Sequence, residues 1–540
     1  MSPRMSKLAL VLAAGVSAIT TATPAPRAPI VSPRQTNETN QVTFADVIPS
    51  SDIDWVACYD GFQCTFLTVP LDYENIEAGT TDVAFIRYLI SEDHEDLLFN
   101  PGGPGQSGTE FIVGDGPIWA KRWGYNIVSF DPRGVQWTKP LLNCAPTNDP
   151  SKRRREVRPL RDLSEEWNAN LESNTACSEF NADTDAKYAG TSAVVQDMMH
   201  FTELQAAARG KDPKTAQINY YGVSYGTLVG QTLVALYPDR VRRVLLDGNV
   251  YGTAHYQGWE PSGLDDFAHG IWLFTKLCFE AGEDYCPLSA GAASIEEVFT
   301  RFDDAVERLK VETIAYEEEQ WNSVAFLSKI QSCMYGPRSS DPLKSFTAFS
   351  AYTLHALNAT AVEADPAKLL KRDGPEETSQ QALSLITAID IAGRYPFTEY
   401  EQWKAAADQL ERTAPYGAEG YATTNGIIGL AANIIPPASQ LFPGFEPVVP
   451  SASVLFVNTV GDPVTPMSSA RQMSKLFAGS SILIVDGPGH GYAAAPSKCA
   501  NAIIATYFAN GTVPEGETWC NTGVEANYYF GGPAPDWVAE

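Results

Sequence analysis

Short apolar runs and longer helical repeats alternate along this chain, and that alternation predicts its architecture. Phe66–Pro70 and Val83–Ile90 are two opening strands, rich in β-branched and aromatic residues. Leu97–Phe99 and Ile127–Phe130 follow as continuous apolar runs, a pattern that suits strands buried on both faces of a parallel sheet, and Ile218–Tyr221 and Val241–Gly248 supply the next two strands. Between them, Val194, Val195, Met198, Phe201 and Leu204 recur at helical spacing within Ser192–Ala208. After about residue 250 the alternation stops. Helical patterns then dominate, around Leu264–Ala281, Ile295–Leu309, Trp321–Met334, Gln380–Ala392 and Tyr400–Arg412. Strands return at Val454–Asn458 and Ile482–Val485, with a short helical stretch over Ser469–Phe477. The reading is an α/β protein with a doubly wound, mostly parallel sheet. It is split into a first core part (46–250), a helical cap or lid (251–445) and a C-terminal core part (446–540). The cap could instead be a separate domain unrelated to the site. In such a sheet, ligands bind at the carboxyl ends of the strands.

One junction carries chemistry. Ile218–Tyr221 leads into Gly222-Val-Ser224-Tyr-Gly226, and an apolar helix is expected from near Leu228. Strand, Gly-x-Ser-x-Gly and helix in that order form a nucleophile elbow, which holds one serine on a strained turn at the top of a sheet. The glycines are needed where a side chain would strike the neighbouring strand and helix. The pattern alone could be an ordinary tight turn; its position between strand and helix favours the elbow.

Serine needs a base. Of six histidines, only His490 lies just past a late strand, in Gly489-His490-Gly491. The other five fall in helical or inserted segments and read as surface or core histidines. Asp462 closes the preceding strand in the same way and can orient the imidazole; the plain alternative is a turn aspartate before Pro463. The order Ser, Asp, His is the order of α/β hydrolases. The oxyanion donors expected are the N–H of Tyr225 and that of Gly103, with Gly102 beside it in Asn100-Pro-Gly-Gly-Pro-Gly. That loop lacks the Lys-Ser/Thr of a phosphate cradle. Asp131 and Arg133, in Asp131-Pro-Arg-Gly, are expected to pair with each other and brace the loop. None of this chemistry calls for a cofactor.

Composition adds the compartment. The 540 residues carry a net charge of −27, which disfavours nucleic acid and anionic membranes as partners. Arg4 and Lys7 precede an apolar run, Leu8–Ile19, and small residues near Ala22, the layout of a secretory signal peptide over 1–22. A leader rich in Pro, Thr and Arg (23–45) reads as disordered. Nine cysteines include no Cys-x-x-Cys pair with metal spacing, so no zinc site is expected. Connectivity is open; taking local pairs gives 58–64, 144–177, 278–286 and 499–520, with Cys333 left over. Glycosylation sequons stand at Asn37, Asn358 and Asn510. Lys152-Arg-Arg-Arg155 reads as a solvated or protease-sensitive loop rather than a binding patch. The expected location is secreted and extracellular.

The motifs together resemble a known family. Asn100-Pro-Gly-Gly-Pro-Gly, Asp131-Pro-Arg-Gly, Gly222-x-Ser224-x-Gly226, Gly461-Asp462-x-x-x-Pro466 and Gly489-His490-Gly are similar to those of the secreted tripeptidyl-aminopeptidase branch of the proline-iminopeptidase-type α/β hydrolases. Val69-Pro-Leu-Asp-Tyr73 resembles that branch's start. The likeness spans about Trp55 to Cys520 and includes a TAP-like C-terminal region. It implies an α/β-hydrolase fold and exopeptidases that release short N-terminal peptides or residues; the family also contains carboxylesterase-like members. Val135-Gln-Trp137 departs from the family's Gly/Ser-rich continuation. Three functions therefore stand side by side: a serine aminopeptidase, a carboxylesterase on hydrophobic small-molecule esters, and a binding protein on a hydrolase scaffold. An aminopeptidase needs acids near the substrate's free amino group; Asp265, Asp266 and Glu317-Glu-Glu319 are candidates within the cap, each of which could equally be a solvated acid.

Overall fold

In the computed structural model, residues 42–144, 163–364 and 377–538 are described. The signal peptide, most of the leader, Asn37 and the basic run Lys152–Arg155 lie outside them. The leader expected through residue 45 gives way sooner, because Phe44–Asp46 form a turn and Phe44 is buried. Its ring packs edge-on against Phe66 and tilted against Trp137.

Twelve strands occur among the described residues: β1 (Val56–Cys58), β2 (Phe62–Pro70), β3 (Thr80–Tyr88), β4 (Asp96–Asn100), β5 (Asn126–Phe130), β6 (Ile218–Val223), β7 (Val241–Asp247), β8 (Ile314–Tyr316), β9 (Glu319–Trp321), β10 (Val454–Gly461), β11 (Ser481–Pro488) and β12 (Glu517–Asn521). Ten of them form one sheet in the order β1-β2-β3-β5-β4-β6-β7-β10-β11-β12; β8 and β9 make a separate hairpin. The pairings from β1 through β3 to β5 are antiparallel, whereas every pairing from β5 across to β12 is parallel. The opening strands thus depart from the parallel pattern of the rest. The exchange of β4 and β5 in the order brings β4 beside β6, so Asn100 lies opposite Gly222.

Helices cover both faces. On the first half these are α1 (Gly108–Trp123), α2 (Leu163–Asn181), α3 (Thr191–Ala208), α4 (Tyr225–Leu236) and α5 (Gly252–Gln257). The long insert supplies α6 (Phe267–Ala281), α7 (Ile295–Val311), α8 (Ser323–Tyr335), α9 (Phe346–Asn358), α10 (Glu377–Ile391), α11 (Tyr400–Thr413) and α12 (Ala418–Thr423). The chain ends with α13 (Met467–Met473) and α14 (Lys498–Asn510). The helix after the elbow begins at Tyr225, three residues earlier than the apolar pattern suggested, because Gly226 and Thr227 are buried among its first-turn residues although neither is strongly apolar. Trp321 belongs to β9 and not to the helix that follows it.

The insert has two allegiances. Helices α6 to α9 share their own core, built on Phe274, Phe302, Trp321, Phe326 and Phe349. Helix α10 instead sends Ala382, Leu385, Ile386 and Ile389 into the core over the sheet, with Val194, Met198, Leu228 and Val229. The described residues form one compact unit. Among the described residues no helix is long and apolar enough to cross a membrane. All four local cysteine pairs are disulfides, and Cys333 is a buried free thiol.

Candidate active site

Strand β6 delivers Ser224 to the carboxyl edge of the sheet, and the backbone there is strained. Ser224 has φ 57° and ψ −126°, a region that costs a non-glycine residue on the order of 1–3 kcal/mol. Neighbours compel it. A Cβ on Gly222 would come within 2.2 Å of the Gly226 carbonyl oxygen, and one on Gly226 within 2.5 Å of the Asn100 carbonyl oxygen. The Ser224 N–H donates to the Asp247 carbonyl at 2.9 Å, and the Thr227 N–H and hydroxyl donate to the Ser224 carbonyl.

The glycine loop after β4 closes on this turn. Gly102 has φ +106°, and a Cβ there would meet the Val223 carbonyl at 2.6 Å, Ser224 Cβ at 2.8 Å and the Tyr225 nitrogen at 3.0 Å. The Gly102 N–H is spent on Asn100 Oδ1 at 2.9 Å. The N–H groups of Gly103 and Tyr225 have no acceptor among the described residues. Tyr225 is also the first residue of α4, where a helix leaves its N–H groups unsatisfied and favours negative charge.

Asp462 and His490 meet at the ends of β10 and β11. His490 Nδ1 lies 2.9 Å from Asp462 Oδ2 and 3.0 Å from Oδ1. The carboxylate also accepts the N–H groups of Val464 and Thr465, the Thr465 hydroxyl at 2.8 Å and the Gly491 N–H at 3.3 Å. Aspartate accepts only, so Nδ1 carries a proton, and in the neutral ring Nε2 keeps its lone pair. Nε2 is buried and has no hydrogen-bond partner, and none joins it to Ser224 Oγ. Such contacts often form only with substrate bound. Gly248, next to the residue that binds the Ser224 N–H, borders both His490 and Asp462: a Cβ there would sit 3.1 Å from His490 Cε1 and 3.4 Å from Asp462 Oδ2. Helix α8 closes the far side, where the Tyr335 carbonyl accepts the His490 N–H at 2.9 Å and its ring lies edge-on to the imidazole.

Electrostatics favour the charged imidazole. Burial works against it, but the Asp462 carboxylate, followed by Asp247, outweighs that penalty and holds the His490 pKa above its ordinary value. Asp247 itself is buried at the end of β7 and is pushed up to about 7 by burial, against hydrogen bonds and the nearby His490. Its carboxylate accepts the Tyr492 N–H at 2.9 Å and the Tyr221 hydroxyl at 3.2 Å. Nothing in the linear pattern distinguished Asp247 or Thr465 from ordinary strand-end and turn residues.

One expectation is corrected. Asp131 and Arg133 do not pair. Asp131 faces the N-terminus of α1, accepting from the Ser107 hydroxyl, the Thr109 N–H and hydroxyl, and the Trp137 N–H. Arg133 turns the other way into a buried bidentate pair with Asp197 at 2.7 and 2.8 Å, and donates to the Pro70, Leu71 and Tyr188 carbonyls. The chain turns just past β5, where the Val135 N–H donates to the Pro132 carbonyl, so two charges that close along the chain need not meet. Three of the acids considered for amino-group binding are likewise occupied. Asp266 accepts the Met467 N–H, Asp265 the Ser468 hydroxyl, and Glu319 pairs with Lys329. Among the described residues no group of three or more His, Cys, Asp or Glu is gathered as a metal ion would require. A cavity of about 200 Å³ at the opposite, amino-terminal edge of the sheet has Asp96 paired with Arg209 and Glu95 with Arg242, while Asp212 accepts the Lys214 N–H.

A mostly parallel sheet with a strained serine elbow, and a His–Asp pair on later strand ends, defines an α/β hydrolase. Comparison with known proteins agrees. A family model described as alpha/beta hydrolase fold matches residues 97–332, and one described as TAP-like protein matches 437–520. The chain is thus a member of the α/β hydrolases with a TAP-like C-terminal region, and it is an enzyme of the serine hydrolase type. It is similar to the serine protease Hip1 of Mycobacterium tuberculosis, 27% identical over 502 residues that span 87% of this chain and 91% of that protein. It is similar also to the tripeptidyl aminopeptidase of Streptomyces lividans, 25% identical over 87% of this chain and 86% of that protein. Carboxylesterase B of M. tuberculosis is 25% identical over 92% of this chain and 91% of its own length.

Proposed function

We propose that this protein is a secreted serine exopeptidase that releases short peptides or residues from free amino termini. Ser224 is the nucleophile, His490 the general base and acid, and Asp462 the group that orients the imidazole. The observation that carries the assignment is the state of His490: Nδ1 is clamped by Asp462, while Nε2 is buried and free beside the strand end that fixes Ser224. His490 takes the Ser224 proton as Oγ attacks the scissile carbonyl. The N–H groups of Tyr225 and Gly103 hold the oxyanion, each worth on the order of 3 kcal/mol of barrier. His490 then passes the proton to the leaving amine. Water hydrolyses the acyl-enzyme, again through His490. Residues 251–445 act as the lid, through the contact of Tyr335 with His490. The peptide substrate is supported by near full-length similarity to proteins named as a serine protease and a tripeptidyl aminopeptidase. Secretion is supported by four disulfides and by exposed sequon asparagines at 358 and 510.

A second reading, a carboxylesterase on hydrophobic esters, is favoured by the similarity to carboxylesterase B. Free and N-acetylated tripeptidyl reporters, assayed beside a simple acyl ester, separate the two. Cleavage of the free peptide alone supports the exopeptidase; cleavage of the ester alone supports the esterase. Ser224→Ala should abolish both turnover and fluorophosphonate labelling with the fold intact, and retained activity in that variant would discard the assignment.

A further inference from the structure

Tyr225 offers its N–H to the site, and its side chain runs away from the site into a buried polar chain. Its hydroxyl lies 2.6 Å from Thr191 Oγ1, and Thr191 Oγ1 lies 2.6 Å from Asp390 Oδ2. The same carboxylate accepts the Thr191 N–H at 2.8 Å and faces His255 Nε2 at 3.0 Å. Proton direction follows from the acceptor at the end. Asp390 can only accept, so the single Thr191 hydroxyl proton points to it, and Thr191 must take its own hydrogen bond from the Tyr225 hydroxyl. Tyr225 is fully buried with its pKa raised well above the ordinary value, which keeps that hydroxyl a donor. Thr191, Asp390 and Tyr225 are all nearly or wholly excluded from solvent, so this is a chain of strong, charge-anchored hydrogen bonds.

Asp390 comes from α10 of the insert, 199 residues from Thr191 along the sequence. The other end of α10 rests on the second half of the oxyanion loop. Gly105 has φ +96°, and a Cβ there would meet the Ser379 carbonyl at 2.7 Å, Ala382 Cβ at 3.2 Å and the Leu383 nitrogen at 3.3 Å. One helix therefore touches the supports of both expected donors: Gly103 through its loop at Gly105, and Tyr225 through Thr191 and Asp390.

We infer that α10 is the keystone of the oxyanion hole, with Asp390 a positioning residue that sets the Tyr225 N–H through Thr191. The inference rests on the reading above, in which Tyr225 and Gly103 are the donors. Ser224 holds a costly backbone conformation, and such a conformation persists only where the surroundings over-determine it. The anchored Tyr225 hydroxyl is one of those constraints. Loosening it lets the N–H swing by a fraction of an ångström, which matters for an oxyanion and hardly at all for ground-state binding.

The test compares wild type with Tyr225→Phe, Asp390→Asn, Thr191→Val and Thr191→Ser, in the full chain. Active sites are titrated with a fluorophosphonate, and kcat is expressed per titrated site. The expected result is a fall in kcat on the order of tenfold for Tyr225→Phe and Thr191→Val, with KM within about twofold. The inhibition constant of a peptidyl trifluoromethyl ketone should rise in parallel. Thr191→Ser, which keeps the hydroxyl, should stay near wild type. Asp390→Asn should follow Thr191→Val. If kcat per titrated site is unchanged in Tyr225→Phe and Thr191→Val, or if loss tracks only the titrated fraction and the melting temperature, the inference is overturned. Failure of the functional reading looks different: wild type would not label, or Ser224→Ala would remain active, and both proposals would fall together.

Discussion

Asp247 grips Ser224 by its backbone and the histidine loop by its side chain. Its carbonyl accepts the Ser224 N–H at 2.9 Å, and its carboxylate accepts the N–H of Tyr492, two residues past His490. The proposed nucleophile and its proposed base are thus referenced to one residue at the end of β7. Asp247→Asn retains the backbone contact and an acceptor for Tyr492 but removes a negative charge facing His490. The acid limb of kcat/KM is expected above the ordinary imidazole value near 6.5 in wild type. In the variant it should move down by up to about one pH unit, since the groups still facing His490 are Asp462, Thr465 and Tyr335. A pH–rate profile with an unshifted limb would count against the role given to Asp247.

Buried acids also set how stability depends on pH. Burial raises Asp131 to about 6 and Asp247 to about 7, and His490 is raised as well. A group whose folded pKa exceeds its unfolded value contributes stability below the unfolded pKa and loses it as pH climbs through the folded one. For the two aspartates that window runs from about 4 to between 6 and 7; for His490 it begins near 6.5. Each group contributes a slope of about 1.4 kcal/mol per pH unit within its window. Urea midpoints should therefore fall between pH 5 and pH 8, and Asp247→Asn should flatten the decline.

Gly102 has no room for a methyl group. With a Cβ 2.6 Å from the Val223 carbonyl and 2.8 Å from Ser224 Cβ, Gly102→Ala must push the glycine loop off the elbow. Loss of one oxyanion donor typically costs on the order of 100-fold in kcat. A loss of that size, with folding checked by circular dichroism, is expected; near-normal kcat would show that the loop does not serve the oxyanion.

Arg133 is expected to stabilise the fold. The guanidinium makes five hydrogen bonds, two of them to a carboxylate that is itself buried. Lysine cannot reproduce the fork, and Arg133→Lys leaves Asp197 poorly paired. A destabilisation of about 3–5 kcal/mol is expected from the urea midpoint at constant slope.

Thiol titration checks the cysteines. Burial pushes the Cys333 thiol up to about 12, so native protein should show no thiol reactive to Ellman's reagent. One per chain should appear on unfolding without reductant, because the other eight are paired.

Much of this was readable because it is local. The elbow, the early glycine loop, Asp462 and His490 each sit at a strand end that announces itself by a run of apolar residues and a glycine turn. The four disulfides join cysteines that are near neighbours along the chain, with partners at most 33 positions apart. Helix α1 escaped the periodic reading because Gly114, Gly116 and Pro117 interrupt it. It forms anyway, with Ser107 capping its start and Ile112, Ala120 and Trp123 buried. Helix α9 was missed inside an insert that is aromatic throughout.

The linear order of residues determined the class of sheet, the chemistry of its edge and the candidates for nucleophile, base and acid, since these follow from short-range backbone and turn preferences. Only the tertiary structure decided which buried charges meet. Arg133 passes over Asp131, two residues away, for Asp197, and Asp390 crosses 199 residues to reach Thr191. A buried charge must find its partner wherever packing brings one, and packing depends on how strands are ordered across the sheet, which no local pattern encodes.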